Sequence, residues 1–182
     1  MKHPYELPEG ETDVVPVSLF ALVAVASFAA VCLAFHAFGE QGWVPILDSA
    51  NLALHEAGHP LTGLVSSRAS VYGGTLFQLA FPVAVAVHFH RRGHAAGAAA
   101  GAVWLGENLL NVARYMADAR VQALPLVGGG DHDWAEIFGR WRILHLDTRV
   151  AGLTRVAAVL LIAGSLVWLY RRWKAGREGS RA

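Results

Sequence analysis

The 182-residue chain has few charged residues and a single cysteine. Asp, Glu, Lys and Arg account for only 16% of the residues, and the net charge at pH 7 is +1. A chain this close to neutral has no electrostatic signature of nucleic-acid binding, so we expect no nucleic-acid partner. Because Cys32 is the only thiol, no disulfide can form within the chain.

Apolar residues are abundant instead and make up 54% of the sequence. Five segments contain apolar stretches near the ~20 residues that a transmembrane helix needs. They span residues 17–38, 43–65, 74–90, 95–121 and 150–170. We therefore predict an all-α fold, a polytopic bundle of about five transmembrane helices that forms one integral-membrane domain over residues 1–182. Pro45 and Pro60 leave open whether the second segment crosses fully or is re-entrant.

The basic residues predict the orientation of this bundle. Arg91 and Arg92 lie between the third and fourth segments. Further basic residues follow the fifth segment, namely Arg171, Arg172, Lys174, Arg177 and Arg181. Because Lys and Arg accumulate in cytoplasmic loops, we expect a cytoplasmic C-terminus. Five crossings then place the acidic N-terminus outside.

The long loop after the fourth segment contains one further helical pattern, over residues 133–146. Its apolar residues recur at helical spacing and include Trp134, Ile137, Phe138, Trp141 and Leu144. This spacing is typical of an amphipathic helix in a membrane interface. We predict that it lies on the outer membrane surface, in contact with membrane lipid.

One motif within the second segment indicates a particular chemistry: His55-Glu56-Ala57-Gly58-His59. On a helix, residues i and i+4 share a face, so His55 and His59 can bind one metal ion. Zn²⁺ binds imidazole nitrogen readily, and a catalytic zinc site keeps one position for water. Glu56 is then placed to deprotonate that water, which predicts a Zn²⁺ site with Glu56 as the catalytic residue.

Polar residues follow one face of the fourth segment. They are Glu107, Asn108, Asn111, Arg114, Tyr115 and Asp118. Ionisable groups cost about 2.5–3.5 kcal/mol each inside a bilayer, so they normally face protein or a polar cavity. One interpretation is a structural hydrogen-bond network between helices. The other is that this face meets the motif histidines and completes the metal site, where Asn108 or Asn111 would position the substrate.

Zinc needs a third protein ligand, and two residues are candidates. Asp118 is a carboxylate on the polar face of the fourth segment, at a depth that matches the motif. His132 follows three glycines that would let the loop fold back over the site. A further possibility is that Asp118 and His132 both bind the zinc ion. Asp131 or Asp133 would then orient His132. Asp48, two turns before the motif, could orient a ligand from the other side.

These features resemble the site-2 protease family of intramembrane zinc metalloproteases. The resemblance rests on the H-E-x-x-H motif in a transmembrane segment, the later Gly73-Gly74 and a polar segment with Asn and Asp. It implies the ligand and catalytic roles already given to the motif residues. It also implies an Asp from a later helix as third ligand, with an Asn before it, for which Asp118 and Asn111 are the closest match. The segments 117–126 and 131–134 are similar to segments of small bacterial membrane proteins. This resemblance implies that the chain lies in the bacterial inner membrane.

Two functional hypotheses follow. The first is an intramembrane zinc metalloprotease that hydrolyses a peptide bond of a transmembrane or membrane-associated protein. The second is a non-catalytic subunit of a membrane complex, in which a structural zinc ion holds helices together. Binding by both Asp118 and His132 would favour the second hypothesis, because a site with four protein ligands has no position for water.

Overall fold

The computed structural model describes residues 15–39, 42–127 and 131–179. Six α-helices follow one another: α1 (Leu19–Phe38), α2 (Leu47–Gly63), α3 (Ser67–Arg91), α4 (Ala95–Ala117), α5 (Asp133–Arg140) and α6 (Asp147–Gly179). A short 3-10 helix over Leu144–Leu146 precedes α6. The described residues contain no strand, so the predicted all-α class is confirmed.

Three of these helices are long and apolar enough to cross a membrane. The mean hydropathy of the most apolar window is 2.3 in α1, 1.5 in α3 and 2.0 in the segment Leu144–Gly179, which contains α6. At about 1.5 Å per residue, each reaches the ~30 Å thickness of a hydrocarbon core. These helices make the chain a candidate membrane protein.

The second and fourth predicted spans also form helices, but the amino-acid composition of these two helices differs from that of the three apolar helices. α2 has 17 residues and buries Asp48, Asn51 and His55. α4 has 23 residues, and its second half buries Glu107 and Asn108. Their polar side chains contact other helices of the bundle, so neither helix presents the apolar surface of an independent span. Three helices rather than five thus have the composition of a membrane span.

α3 begins earlier than the predicted span at residue 74. The Oγ atom of Ser66 accepts the backbone N–H of Arg68 at 3.2 Å, and this N-cap allows the helix to start at Ser67. Residues 67–73, which precede the predicted span, are therefore the first two turns of α3. This extension brings the Ser70 carbonyl beside the histidine motif.

α4 is the helix around which α1, α3 and α6 pack, whereas α2 packs mainly on α3. Glycines allow two of these close approaches. A Cβ atom at Gly101 would lie 2.7 Å from the backbone N of Ala86, and one at Gly106 would lie 2.4 Å from a side-chain carbon of Ile162. The backbones of α3 and α4, and of α4 and α6, therefore approach more closely than larger residues would permit.

α5 is shorter than the predicted amphipathic helix over residues 133–146, with eight residues. Much of the apolar face assigned to the membrane surface is covered by protein, whereas Trp141 is 52% exposed. Trp134, Ile137 and Phe138 are 7%, 1% and 0% exposed and pack in a cluster with side chains of α3, α4 and α6. α5 is thus an element of the core, and its position is fixed by these contacts.

Candidate metal centre

The motif histidines lie on successive turns of α2. The Oδ2 atom of Asp48, in the first turn of this helix, accepts the backbone N–H of Val44 at 2.6 Å, which holds the preceding segment against the start of α2. Further along, Gly58 lies against Gly73 of α3, where a Cβ atom would be only 2.1 Å from the Gly73 carbonyl oxygen. This contact places the histidine face of α2 directly against α3.

The two histidines converge with Asp133, the first residue of α5. The Nε2 atom of His55 is 2.9 Å from Oδ2 of Asp133, and Nε2 of His59 is 3.3 Å from the same oxygen. The three potential ligand atoms lie within 4.8 Å of one another. Among the residues that the structure describes, this is the only such group of three His, Cys, Asp or Glu side chains.

The Nδ1 partners determine which nitrogen faces the centre of this cluster. Nδ1 of His59 lies 2.9 Å from the carbonyl oxygen of Ser70, which can only accept, so Nδ1 must carry the proton. Nδ1 of His55 donates in the same way to Oε1 of Gln78 at 3.2 Å. In the neutral form of each imidazole, Nε2 then faces the Asp133 carboxylate with its lone pair, and a metal cation between them would be bound by all three groups. In the imidazolium form, the same Nε2 atoms donate to Oδ2 of Asp133.

Contacts with α4 and with the preceding residue position Asp133. Its backbone N–H donates to the hydroxyl of Tyr115 at 3.1 Å. His132 caps α5, since its Nδ1 atom accepts the N–H of Ala135 at 3.3 Å. Burial lowers the pKa of His132, and the nearby Asp118 opposes this shift. The net lowering favours the neutral imidazole, whose bare Nδ1 the cap requires.

Gly74 provides the space in which the imidazoles meet. A Cβ atom at this position would lie 2.5 Å from Nε2 of His55 and 2.7 Å from Nε2 of His59. Contacts this short do not occur between real atoms, so any side chain at position 74 would displace both rings. The Gly73-Gly74 pair thus serves two needs: Gly73 allows the helices to touch, and Gly74 leaves room for the ligands.

The cluster lies in the wall of a cavity of about 750 Å³, which Glu56 also lines. Glu56 is half-buried, and its carboxylate has no hydrogen-bond or ion-pair partner among the described residues. Tyr115, Asn111 and Arg114 of α4 line the same cavity. A carboxylate that no protein group engages, next to the histidines, is available to act on a molecule bound there.

Asp118 and His132, the two predicted candidates for the third ligand, contact each other instead of the motif histidines. Asp118 accepts the backbone N–H groups of Ala123 at 2.9 Å and Leu124 at 3.1 Å, so it closes the turn after α4. Its Oδ2 atom lies 3.4 Å from Nε2 of His132, an electrostatic contact rather than a well-formed hydrogen bond. The carboxylate that the structure brings to the histidines is Asp133.

The other candidate residues form a hydrogen-bond network between α2 and α4. Asn111 donates to Asp48 at 2.8 Å, Asn51 to Glu107 at 2.9 Å, and Asn108 to Asn51 at 3.2 Å. Asn108 is fully buried and has no surface for a substrate, whereas Asn111 and Asp48 line the cavity. The polar faces of the two helices do meet, and they meet beside the histidine cluster rather than at it.

Sequence reasoning missed four contributors to the cluster. Asp133 is the additional ligand candidate, Tyr115 and Gln78 hold Asp133 and His55 in position, and Gly74 leaves room for the imidazole rings. Asp133 was expected only to orient His132. A signal existed for Gln78, which is one of few polar residues in an apolar segment, and for Tyr115, which belongs to the polar face of α4. No local pattern distinguished Asp133 from Asp131, because only the tertiary fold sets which of them faces α2.

Comparisons of this chain with protein families, with curated proteins and with solved structures found no match. The site itself defines a class of centre: two imidazoles and one carboxylate converging on a cavity, with a second carboxylate beside them.

Proposed function

We propose that this protein is an intramembrane zinc metallopeptidase that hydrolyses a peptide bond of a transmembrane or membrane-associated protein. The convergence of His55 Nε2, His59 Nε2 and Asp133 Oδ2 carries the proposal. Two imidazoles and a carboxylate form a ligand set used by zinc peptidases. A Zn²⁺ ion bound by them would act as a Lewis acid and make water acidic enough to lose a proton near neutral pH.

The surrounding residues have separate roles in this reaction. Glu56 accepts the proton of the attacking water and delivers it to the leaving amine. Gln78 and the Ser70 carbonyl hold the imidazoles through their Nδ1–H groups, which keeps both Nε2 atoms available as ligands. Tyr115 fixes the backbone of Asp133 and thus the position of its carboxylate.

The rim of the cavity suits an unwound peptide. Helical carbonyls are occupied by intrahelical hydrogen bonds, so a substrate helix must unwind before its peptide bond can be attacked. The non-helical segment 124–127 lines the cavity and exposes the apolar side chains of Leu126 and Val127. Backbone and side chains of this segment would hold an extended substrate by strand-like pairing and apolar contact.

We further propose that the chain crosses the bacterial inner membrane five times, with the N-terminus outside and the C-terminus in the cytoplasm. α1, α3 and α6 have the composition of lipid-facing spans. α2 and α4 would cross among them, so that their polar faces contact each other and the cavity rather than lipid. In this arrangement the metal centre lies toward the outer side.

The alternative, a non-catalytic subunit with a structural zinc ion, requires a fourth protein ligand. Within the described ranges, no fourth His, Cys, Asp or Glu joins His55, His59 and Asp133. Asp118 and His132 are engaged with each other. A three-ligand centre open to a cavity favours catalysis over a purely structural role.

The substitution Glu56→Gln tests the proposal. It keeps the size and hydrogen bonding of the side chain but removes the base, and it leaves the three ligand atoms unchanged. We expect the variant to retain its zinc content and to lose at least about 100-fold in cleavage rate. Zinc content and cleavage of membrane-inserted peptides should be measured on the purified protein.

Glu136→Gln is the matched control. Glu136 lines the same cavity, but its Oε1 atom accepts Nε of Arg140 at 3.0 Å. An exposed pair of this kind contributes little, so cleavage should stay close to the wild-type rate. Undiminished cleavage by Glu56→Gln, or equal losses in both variants, would refute the assignment of Glu56 as the base.

A further inference from the structure

A second cavity lies at the other end of the bundle from the metal centre. It is a groove of about 450 Å³ between the C-terminal half of α3, the N-terminal half of α4 and the middle of α6. Small residues form its floor, including Ala86, Ala98, Ala99, Ala102 and Gly164. Nothing lies within 4 Å of a Cβ atom built at Gly164, so the groove is open space there.

Cationic side chains border one end of this groove. His90 and Trp168 line it, with their ring centroids 6.1 Å apart. The guanidinium carbon of Arg172 lies over the Trp168 ring, 6.0 Å from its centroid. Arg91, the last residue of α3, is exposed next to His90. Guanidinium groups bind phosphate oxygens through two parallel hydrogen bonds, so this end complements an anionic phosphate.

We propose that the groove binds an anionic phospholipid, with one acyl chain along the small residues and the phosphate at Arg172 and His90. The inference depends on the membrane location of the chain but not on the protease activity. The charge at one end and the apolar floor behind it match the two halves of a lipid molecule. A lipid seated there would contact α3, α4 and α6 together.

The length of the groove favours an acyl chain over a transmembrane helix. Leu160 and Trp168 mark its extent along α6, which is about 12 Å at 1.5 Å per residue. A partner helix packs along much of the ~30 Å hydrocarbon thickness and would not require cations at one end.

Quenching of Trp168 by brominated lipid tests this site. The full-length protein is reconstituted in phosphatidylcholine nanodiscs that contain a minor fraction of acyl-brominated phosphatidylglycerol or acyl-brominated phosphatidylcholine. The Trp168 signal is the difference between the wild type and Trp168→Phe. We expect brominated phosphatidylglycerol to bind about fivefold more tightly than brominated phosphatidylcholine, which is the preference that one cation provides near a membrane surface.

Two variants and one matched control separate the parts of the site. Arg172→Gln should remove the preference for the anionic lipid. Arg177→Gln should keep it, because Arg177 lies over Trp173 rather than over the groove. Gly164→Leu adds a side chain where the space around the Cβ position is open, and it should abolish quenching by either lipid.

Three results would overturn the proposal. Equal binding of the two lipids by the wild type would exclude a headgroup site. Undiminished quenching in Gly164→Leu would place the acyl chain elsewhere. Efficient disulfide cross-linking of two copies through Gly164→Cys, in a Cys32→Ala background, would show that a second protein chain occupies the groove.

Discussion

Asp133 contributes to the candidate metal centre through both its backbone and its side chain. As the first residue of α5, it has a backbone N–H that no intrahelical carbonyl can accept, and the Tyr115 hydroxyl accepts it instead. Its carboxylate meanwhile faces His55 and His59 of α2. The position of one oxygen atom therefore depends on α2, α4 and α5 together.

Asparagine substitutions distinguish the roles of Asp133 and Asp118. Asp133→Asn replaces the charged ligand oxygen with a neutral amide and should weaken zinc binding by more than about 100-fold, beyond the range for residues that only orient ligands. Asp118→Asn retains an acceptor for the turn after α4 and should weaken zinc binding by at most about tenfold. Competition with a chelating zinc indicator measures both affinities.

A larger loss of zinc affinity in Asp118→Asn than in Asp133→Asn would assign the third ligand to Asp118. Thermal unfolding of each zinc-free variant provides the control, because a loss of affinity counts only if the fold persists. Comparable melting temperatures in the zinc-free state would show that the difference arises at the ligands themselves.

The sequence predicted that His55 and His59 share one face of α2, but it did not predict the carboxylate that lies beside them. The spacing of His55, Glu56 and His59 is local, so helical geometry alone places both imidazoles on one face. Asp133 reaches them from a separate helix, and its side chain is selected by the cap at His132 and the contact with Tyr115. Such contacts between distant segments leave no periodic signal in a single sequence.

At the scale of the helix, the close approach of α2 and α3 determines the site. Gly58 and Gly73 bring the two backbones together, and Gly74 keeps the space next to the imidazoles empty. Backbone atoms cannot move aside without separating the helices, whereas an imidazole ring can rotate. Substitutions at these glycines should therefore have different consequences.

Gly74→Ala should weaken zinc binding while the fold persists. The added methyl group would press against Nε2 of both His55 and His59, so the rings must turn away from Asp133. We expect at least about a tenfold loss of zinc affinity, comparable with losses from disturbed ligand orientation. Zinc titration and the circular dichroism spectrum of the variant are the required measurements.

Gly58→Ala and Gly152→Ala are the comparison variants for Gly74→Ala. At Gly58 the methyl group would meet the backbone of Gly73, so we expect destabilisation by about 1–3 kcal/mol. At Gly152, on α6, nothing lies within 4 Å, and alanine should leave zinc affinity unchanged. A Gly74→Ala protein with wild-type zinc affinity would show that the imidazoles do not need this space.

The sequence predicted where the helices lie in the chain more reliably than it predicted what each helix packs against. Every predicted apolar segment contains a helix, because long apolar runs constrain the backbone directly. The sequence did not predict that α5 packs on other helices, since an amphipathic face is equally suited to lipid and to a protein core. Its apolar residues find partners on α3, α4 and α6 instead.

At the scale of the whole molecule, the proposed topology predicts which residues are accessible from each side of the membrane. Cys32 is buried, so single cysteines can be introduced in a background with little labelling of its own. Cysteine at Val127 should react with a membrane-impermeant maleimide on intact cells, and cysteine at Glu178 should react only after the membrane is opened. Both wild-type side chains are exposed.

Labelling in the reverse order would invert the topology and place the metal centre toward the cytoplasm. Labelling of both positions from outside would mean an even number of crossings between them. Among the described residues between these positions, α6 is the only helix long and apolar enough to span the bilayer, so that result would exclude it as a membrane span.

The position of Asp133 in the chain sets the order in which the metal centre can form. Asp133 follows His55 by 78 residues. At roughly 5–20 residues per second, the ribosome adds it roughly 4–16 s after the histidine. During that interval the nascent chain displays the histidine motif without its acidic partner. If the proposed zinc site binds metal through all three side chains, metal loading is deferred until α5 has been synthesised and packed against its neighbours.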